Sequence, residues 1–245
     1  MATADLITQL KQDFDDVYAA GKAAGGGSGE YEQGYEDGKN SVADNVRYAK
    51  TITFASLNVF GKKEVELNFD NVTALANLFD VRTSANKNTT VEHLTINCST
   101  LPTSISQMLY SIGSSSDDEV LKKVIFNVDT SNCTNLTNAF VGRNGLKVID
   151  GKPLDFSANT QSSLNLFARC ILLTDFRLVA NTIKVNFNVS SCSLLSTETI
   201  QSIIDGLADL TDGTAQTLTL HATVGAKLTD EQKATITAKN WTLVY

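Results

Sequence analysis

The chain has no long apolar run, no CxxC pair, no cluster of basic residues and no nucleotide or metal signature, and each absence argues against a class of function. Its first twenty residues carry Asp5, Lys11, Asp13, Asp15 and Asp16, where a signal peptide would need an uncharged stretch. Neither a membrane span nor export directed by its own N-terminus is therefore expected. The balance of 20 Lys and Arg against 27 Asp and Glu gives a net charge of −7, which argues against nucleic acid as a partner, since that affinity rests on clustered Lys and Arg.

The four cysteines, Cys98, Cys133, Cys170 and Cys192, form no CxxC pair and have no histidine nearby to complete a zinc site. They are expected to be reduced, buried and structural, with disulfide or metal use as the alternative. His93 and His221 are far apart in sequence and lie in no metal arrangement. There is no GxSxG elbow, P-loop or dinucleotide turn, and the Gly25 to Gly29 run lacks the strand before it and the Lys-Ser/Thr after it that phosphate binding requires. Asp117-Asp118-Glu119 lacks the spaced oxygen ligands of a calcium loop and reads as a solvated acidic loop. No catalytic residue, metal or cofactor is assigned, and the chain is not expected to be an enzyme. The sequons at Asn71, Asn88, Asn132, Asn135 and Asn188 read as turn and ladder asparagines, not as glycosylation sites.

What the sequence does contain is a recurring strand phrase, apolar-x-apolar followed by Asn, Cys, Thr or Ser. It appears at Val65–Phe69, Leu94–Cys98, Val124–Val128, Leu154–Phe156, Val185–Val189 and Leu218–His221. Recurrence at roughly 25 to 35 residues predicts a solenoid, whose units are each too small to bury their own apolar face. The period of two within each phrase sends Val65, Leu67, Phe69, Leu94, Ile96, Val124, Phe126 and Val128 inward. On the opposite, outer face it predicts Lys184, Thr219 and His221 as well as Asn68, Asn97, Asn127, Asp155, Asn186 and Asn188, and the last six make the candidate binding surface. Between the phrases, 72–79, 105–110 and 164–168 carry apolar residues at three and four spacing and are expected to be helical connectors.

The expected architecture is α/β: an N-terminal helix over 1–24, a glycine hinge and Tyr/Glu/Gly linker over 25–46, the solenoid over 47–194 and a C-terminal capping unit over 195–245. In the first segment Leu10, Phe14 and Val17 follow coiled-coil spacing, and so short a helix must pack on the body, sister chains or a larger assembly. The last segment predicts a helix capped by Ser196 or Thr197, a strand at 216–220, a second helix capped at Thr229 and a final strand containing a core Trp241.

The stretch Leu195 to Tyr245, with its Leu-Ser-Thr-Glu-Thr-Ile-Gln-Ser-Ile-Ile-Asp-Gly-Leu and Leu-Thr-Asp-Glu-Gln-Lys-Ala-Thr-Ile-Thr-Ala-Lys-Asn-Trp-Thr-Leu phrases, resembles the C-terminal end of BspA-like leucine-rich-repeat proteins of phages and prophages of Gram-positive gut bacteria. The Tyr-Glu-Gln-Gly-Tyr-Glu-Asp-Gly-Lys phrase at 31–39 looks like the leader of such phage proteins. The resemblance implies a leucine-rich-repeat-type solenoid and a virion structural or cell-surface adhesion role, with no catalytic residues carried over. On this expectation the N-terminal helix docks to other virion proteins, and the polar face recognises a host-surface glycan or protein. The chain would be a virion protein made in the host cytoplasm and a homo-oligomer, a trimer by analogy with fibre-like virion parts, with no membrane insertion. A purely architectural decoration of the virion and a bacterial surface adhesin are the alternatives.

Overall fold

Extended segments with alternating apolar residues can close a core only by pairing side by side, and the strand phrases do so in parallel. A computed structural model of the chain describes residues 63–69, 72–76, 78, 91–109 and 120–245. The helix carrying Leu10, Phe14 and Val17, the glycine hinge, the Tyr/Glu/Gly linker and Asp117-Asp118-Glu119 lie outside the described residues.

Among the described residues the fold is α/β, with two sheets of short parallel strands and few helices. The first sheet comprises β1 (Glu64–Phe69), β2 (His93–Cys98), β3 (Lys123–Asn127) and β4 (Val148–Gly151), in that spatial order and all parallel. The second comprises β5 (Ser163–Leu164), β6 (Asn186–Asn188), β7 (Gln216–Thr219) and β8 (Trp241–Val244), likewise in order and parallel. Three helices, α1 (Thr197–Gly206), α2 (Ala222–Gly225) and α3 (Asp230–Ala238), fall in the last fifty residues.

The period-two reading holds in β1, β2 and β3, where Val65, Leu67, Phe69, Leu94, Ile96, Val124 and Phe126 are buried and the residues between them are exposed or half-buried. Behind the strands the core carries a run of aromatic rings. Phe140 meets Phe126 edge-on and stacks on Phe167, both at 5.7 Å between centroids, and Phe167 in turn stacks on Phe176 at 4.5 Å and meets Phe187 edge-on at 6.4 Å. Such pairs add to the burial of their area and tie the two sheets into one core.

The connectors are corrected by the structure: none of 72–76, 105–109 and 164–168 is a helix; 106–109 and 166–168 are turns, and Leu164 belongs to β5. Their apolar residues are nonetheless buried, including Leu75, Ile105, Met108, Leu109, Leu166 and Phe167. A helix needs each N–H for the carbonyl four residues back, whereas here the N–H groups go to the next connector. Ile105 N donates to Asn135 O at 3.1 Å, Gln107 N to Thr137 O at 2.9 Å, Leu109 N to Ala139 O at 3.0 Å and Phe140 N to Leu166 O at 3.2 Å. Left-handed backbone at Gln107 (φ 52°) and Asn138 (φ 58°) further breaks any helical run.

Strands β4 and β5 are absent from the sequence reading, β5 lying where a helical connector is expected, and one expected strand is not formed. Leu154–Phe156 is not a strand; only Leu154 makes a lone bridge, to Leu178. The strand at this level is β4 instead, and it ends at Gly151, whose φ of +98° is left-handed and whose Cα sits so close to β3 that a Cβ would lie 2.6 Å from Phe126 O.

The C-terminal elements follow their caps. Ser196 accepts from Thr199 N at the start of α1, and Thr229 forms a capping box with Gln232 at the start of α3. His221 caps α2, a helix absent from the sequence reading. Helix α1 also covers the segment 175–178, which bridges to Val148 and Leu154 beside the first sheet: Thr199 Oγ1 accepts from Phe176 N at 3.3 Å and Ser202 Oγ from Leu178 N at 2.9 Å, so hydroxyls stand where a further strand's carbonyls would. Lys239 Nζ donates to Leu207 O at 2.7 Å and Ile204 O at 3.0 Å, satisfying the carbonyls at the end of α1. Trp241 is buried as expected, with Nε1 donating to Ala208 O at 2.9 Å.

Candidate binding face

The outer face of the first sheet is built by register. Parallel in-register pairing sets Glu64, His93, Lys123 and Val148 in one row, Glu66, Thr95, Ile125 and Asp150 in the next, and Asn68, Asn97 and Asn127 in a third. Neighbours within a row stand about 4.8 Å apart.

The asparagine row is bonded to itself. Asn127 Nδ2 donates to Asn97 Oδ1 at 2.7 Å, and Asn97 Nδ2 donates to Asn68 Oδ1 at 2.7 Å and to Glu66 Oε1 at 2.8 Å. At the far end Asn127 Oδ1 lies over Gly151, 2.8 Å from where a Cβ would stand. An amide ladder of this kind holds the face rigid and leaves these amides little capacity for a ligand.

The other three expected face residues are placed elsewhere. Asp155 lies off the strands and accepts from Ser157 N at 2.8 Å. Asn186 and Asn188 belong to the second sheet; Asn186 Oδ1 accepts from Thr217 N at 2.8 Å, and Asn188 Oδ1 accepts from Ser190 N at 2.9 Å. The structure thus brings together Asn68, Asn97 and Asn127 but not all six residues on one sheet.

The rows beside the ladder carry the accessible chemistry. A shallow groove of about 500 Å³ runs over Glu64, Glu66, His93, Thr95, Lys123 and Ile125. His93 Nδ1 lies 3.3 Å from Glu64 Oε1, Lys123 Nζ 3.2 Å from Asp150 and Arg177 3.6 Å from Asp150. The Gly151 N–H, and then Lys123, hold the Asp150 carboxyl below its ordinary range. The same period-two phase that gives the asparagine row gives these two rows; a focus on amides passes over them.

The cysteines are free and buried. Cys133 Sγ donates to Pro102 O at 2.9 Å and Cys170 Sγ to Phe140 O at 3.1 Å, each reaching back about one repeat. Burial pushes both thiols up to about 12, which makes them hydrogen-bond donors and not nucleophiles. Two sequons resolve into a shared turn: Asn135 accepts from Thr137 N as Asn188 does from Ser190 N, and Asp129, Asp155 and Asp209 make the same contact two residues on. The Asn-x-Ser/Thr pattern here is the asparagine version of an Asx turn that Asp-x-Ser/Thr makes equally well.

Among the described residues no group of three or more His, Cys, Asp or Glu is placed to hold a metal, and no helix is long and apolar enough to cross a membrane. No family model, curated protein or solved structure matches the chain.

Proposed function

We propose that the chain is a phage virion structural protein whose body is a leucine-rich-repeat-type solenoid and whose first sheet displays a face for host-surface recognition. The observation that carries this reading is the in-register face itself, two mostly polar rows at regular spacing beside an asparagine row whose amides bond to one another. The solenoid is supported by hydrogen bonds that step about one repeat at a time: Thr103 N donates to Thr73 O, Thr134 N to Thr103 O and Thr160 N to Thr134 O.

Recognition falls to the rows of Glu64, His93 and Lys123 and of Glu66, Thr95 and Ile125, with the asparagines as their scaffold. A shallow face of hydroxyl, carboxylate, ammonium and imidazole groups suits a hydroxyl-rich glycan or a protein loop, bound weakly per site and strengthened by many copies on a particle. The N-terminal segment, through Leu10, Phe14 and Val17, is the part that docks to other virion proteins or sister chains.

The test is binding of full-length chain, multimerised on beads, to host cells and to unrelated bacteria. Parent beads are expected to bind host cells selectively, and a Thr95→Ala, Lys123→Ala, Ile125→Ala variant with unchanged melting is expected to lose that binding. Equal binding by parent and variant, or none by the parent, would remove the recognition reading. Poor particle assembly without the chain would then point to an architectural part.

A further inference from the structure

We propose a second site: the groove between α1 and the far edge of the first sheet binds a cationic peptide segment, with aliphatic stems on an apolar floor and charged heads against an acidic rim. The groove holds about 760 Å³, within the roughly 300 to 1,000 Å³ typical of ligand sites. Its floor includes Val148, Pro153, Leu178 and Ala180. One wall is the segment 175–178, which bridges to Val148 and Leu154, and the other is α1, held in place by the Thr199 and Ser202 hydroxyls on the Phe176 and Leu178 N–H groups. Because those hydroxyls are occupied, they fix the groove's shape and leave recognition to the rim.

The rim is strongly one-sided in charge. Glu198, Gln201 and Asp205 recur at three and four residues along α1 and so share the side that lines the groove, facing Asp150 and Asp175 across it. Four carboxylates line the groove against one guanidinium, a lining charge of −4 + 1 = −3. Asp150 is already paired, with Lys123 Nζ at 3.2 Å and Arg177 at 3.6 Å, and Arg177 also donates to Gly151 O at 2.9 Å, which leaves the charges of Asp175, Glu198 and Asp205 for a ligand. An anionic ligand would be repelled, whereas a lysine or arginine side chain matches both surfaces, its stem lying on the floor and its head on the rim. Glu198 and Asp205 are about 10 Å apart along the helix axis. Flexible side chains two residues apart on an extended peptide, with Cα atoms about 7 Å apart, can reach both. A peptide with two such side chains fits this spacing better than a single free amine.

The groove meets the recognition face at Val148 and Asp150, which end its first two rows, but Glu198 and Asp205 of α1 take no part in that face, so the two readings fail separately. Full-length chain would be titrated into a labelled five-residue peptide of alternating Lys and Val, followed by fluorescence anisotropy, with a Glu/Val peptide as counterpart. The parent is expected to bind the Lys peptide and not the Glu peptide. A Glu198→Gln, Asp205→Asn variant should bind at least tenfold more weakly. A variant of equal net charge with two exposed acids changed elsewhere, Asp212→Asn and Glu231→Gln, should stay within twofold of the parent. No binding by the parent, or equal weakening by both variants, overturns the site. As a readout independent of any substitution, backbone amide resonances of 198–205 in the parent should shift on adding the Lys peptide, and shifts confined to other regions would also overturn it.

Discussion

Asparagine stands on the outer face of both sheets and does different work in each. In the first sheet Asn68, Asn97 and Asn127 occupy one register row, so each amide finds another amide beside it and a ladder forms. In the second, Asn186 sits beside Ser163, and with no amide next to it its oxygen takes the N–H of Thr217 instead. The role of a polar residue in a parallel stack is thus set by what shares its row. The sheets also end differently: α1 covers the edge beyond the first, whereas the second runs to β8, with Val244 and Tyr245 exposed.

The largest expected effect tests what the two sheets share. Burial raises the Cys133 and Cys170 thiols from an ordinary 9.0 to about 12, so the unfolded chain releases these protons first. Their contribution to stability is therefore fully present below pH 9 and is lost as pH rises toward 12. Circular dichroism should show both sheets unfolding together over that window, and slow alkylation of the native thiols below it. Rapid labelling at neutral pH would contradict buried donors.

Phe167 is the ring through which the sheets meet, and Phe167→Ala should cost about 3 to 5 kcal/mol, read as a lower denaturation midpoint. Phe156 has a ring contact with Phe187 alone among the described aromatic pairs, so Phe156→Ala should fall at the lower end of that range or below. Next in size, Gly151→Ala combines a left-handed φ with a Cβ set against Phe126 O and should cost about 2 to 3 kcal/mol, ending the close approach of β3 and β4.

Thr199→Val keeps shape but leaves the buried Phe176 N–H without its acceptor, at about 1 to 3 kcal/mol, and should raise amide exchange at Phe176 while leaving the β6–β7 pairing protected. The smallest effects bear on the asparagines themselves. Asn97→Ala breaks the ladder on both sides and should cost about 1 to 2 kcal/mol, whereas Asn186→Ala loses one exposed contact and should cost about 0.5 to 1 kcal/mol. Equal losses in chemical denaturation would erase the distinction between the rows.

Much of the fold is legible in the sequence. Strand phase in β1, β2 and β3 follows from period two, because one side of each strand must enter the core, and the caps at Ser196 and Thr229 follow from side chains that can bond a helix's free N–H groups. The connectors misled because buried apolar residues at three and four spacing serve a turn as well as a helix; what decides is the next connector's carbonyls, which lie some thirty residues away in sequence. Strand β4 was missed because its short Val-Ile-Asp-Gly phrase has little alternation and is held by pairing with β3. Of the candidate site, outward placement of the asparagines was legible, but their bonding to one another required the register.

The proposal that the chain is a virion protein is tested most directly by imaging phage particles. The account expects the chain on the outside of the particle, its N-terminal segment against other virion proteins and the outer face of its first sheet turned to solvent. A chain found inside the particle, or one whose first sheet is buried against a neighbouring subunit, would contradict it.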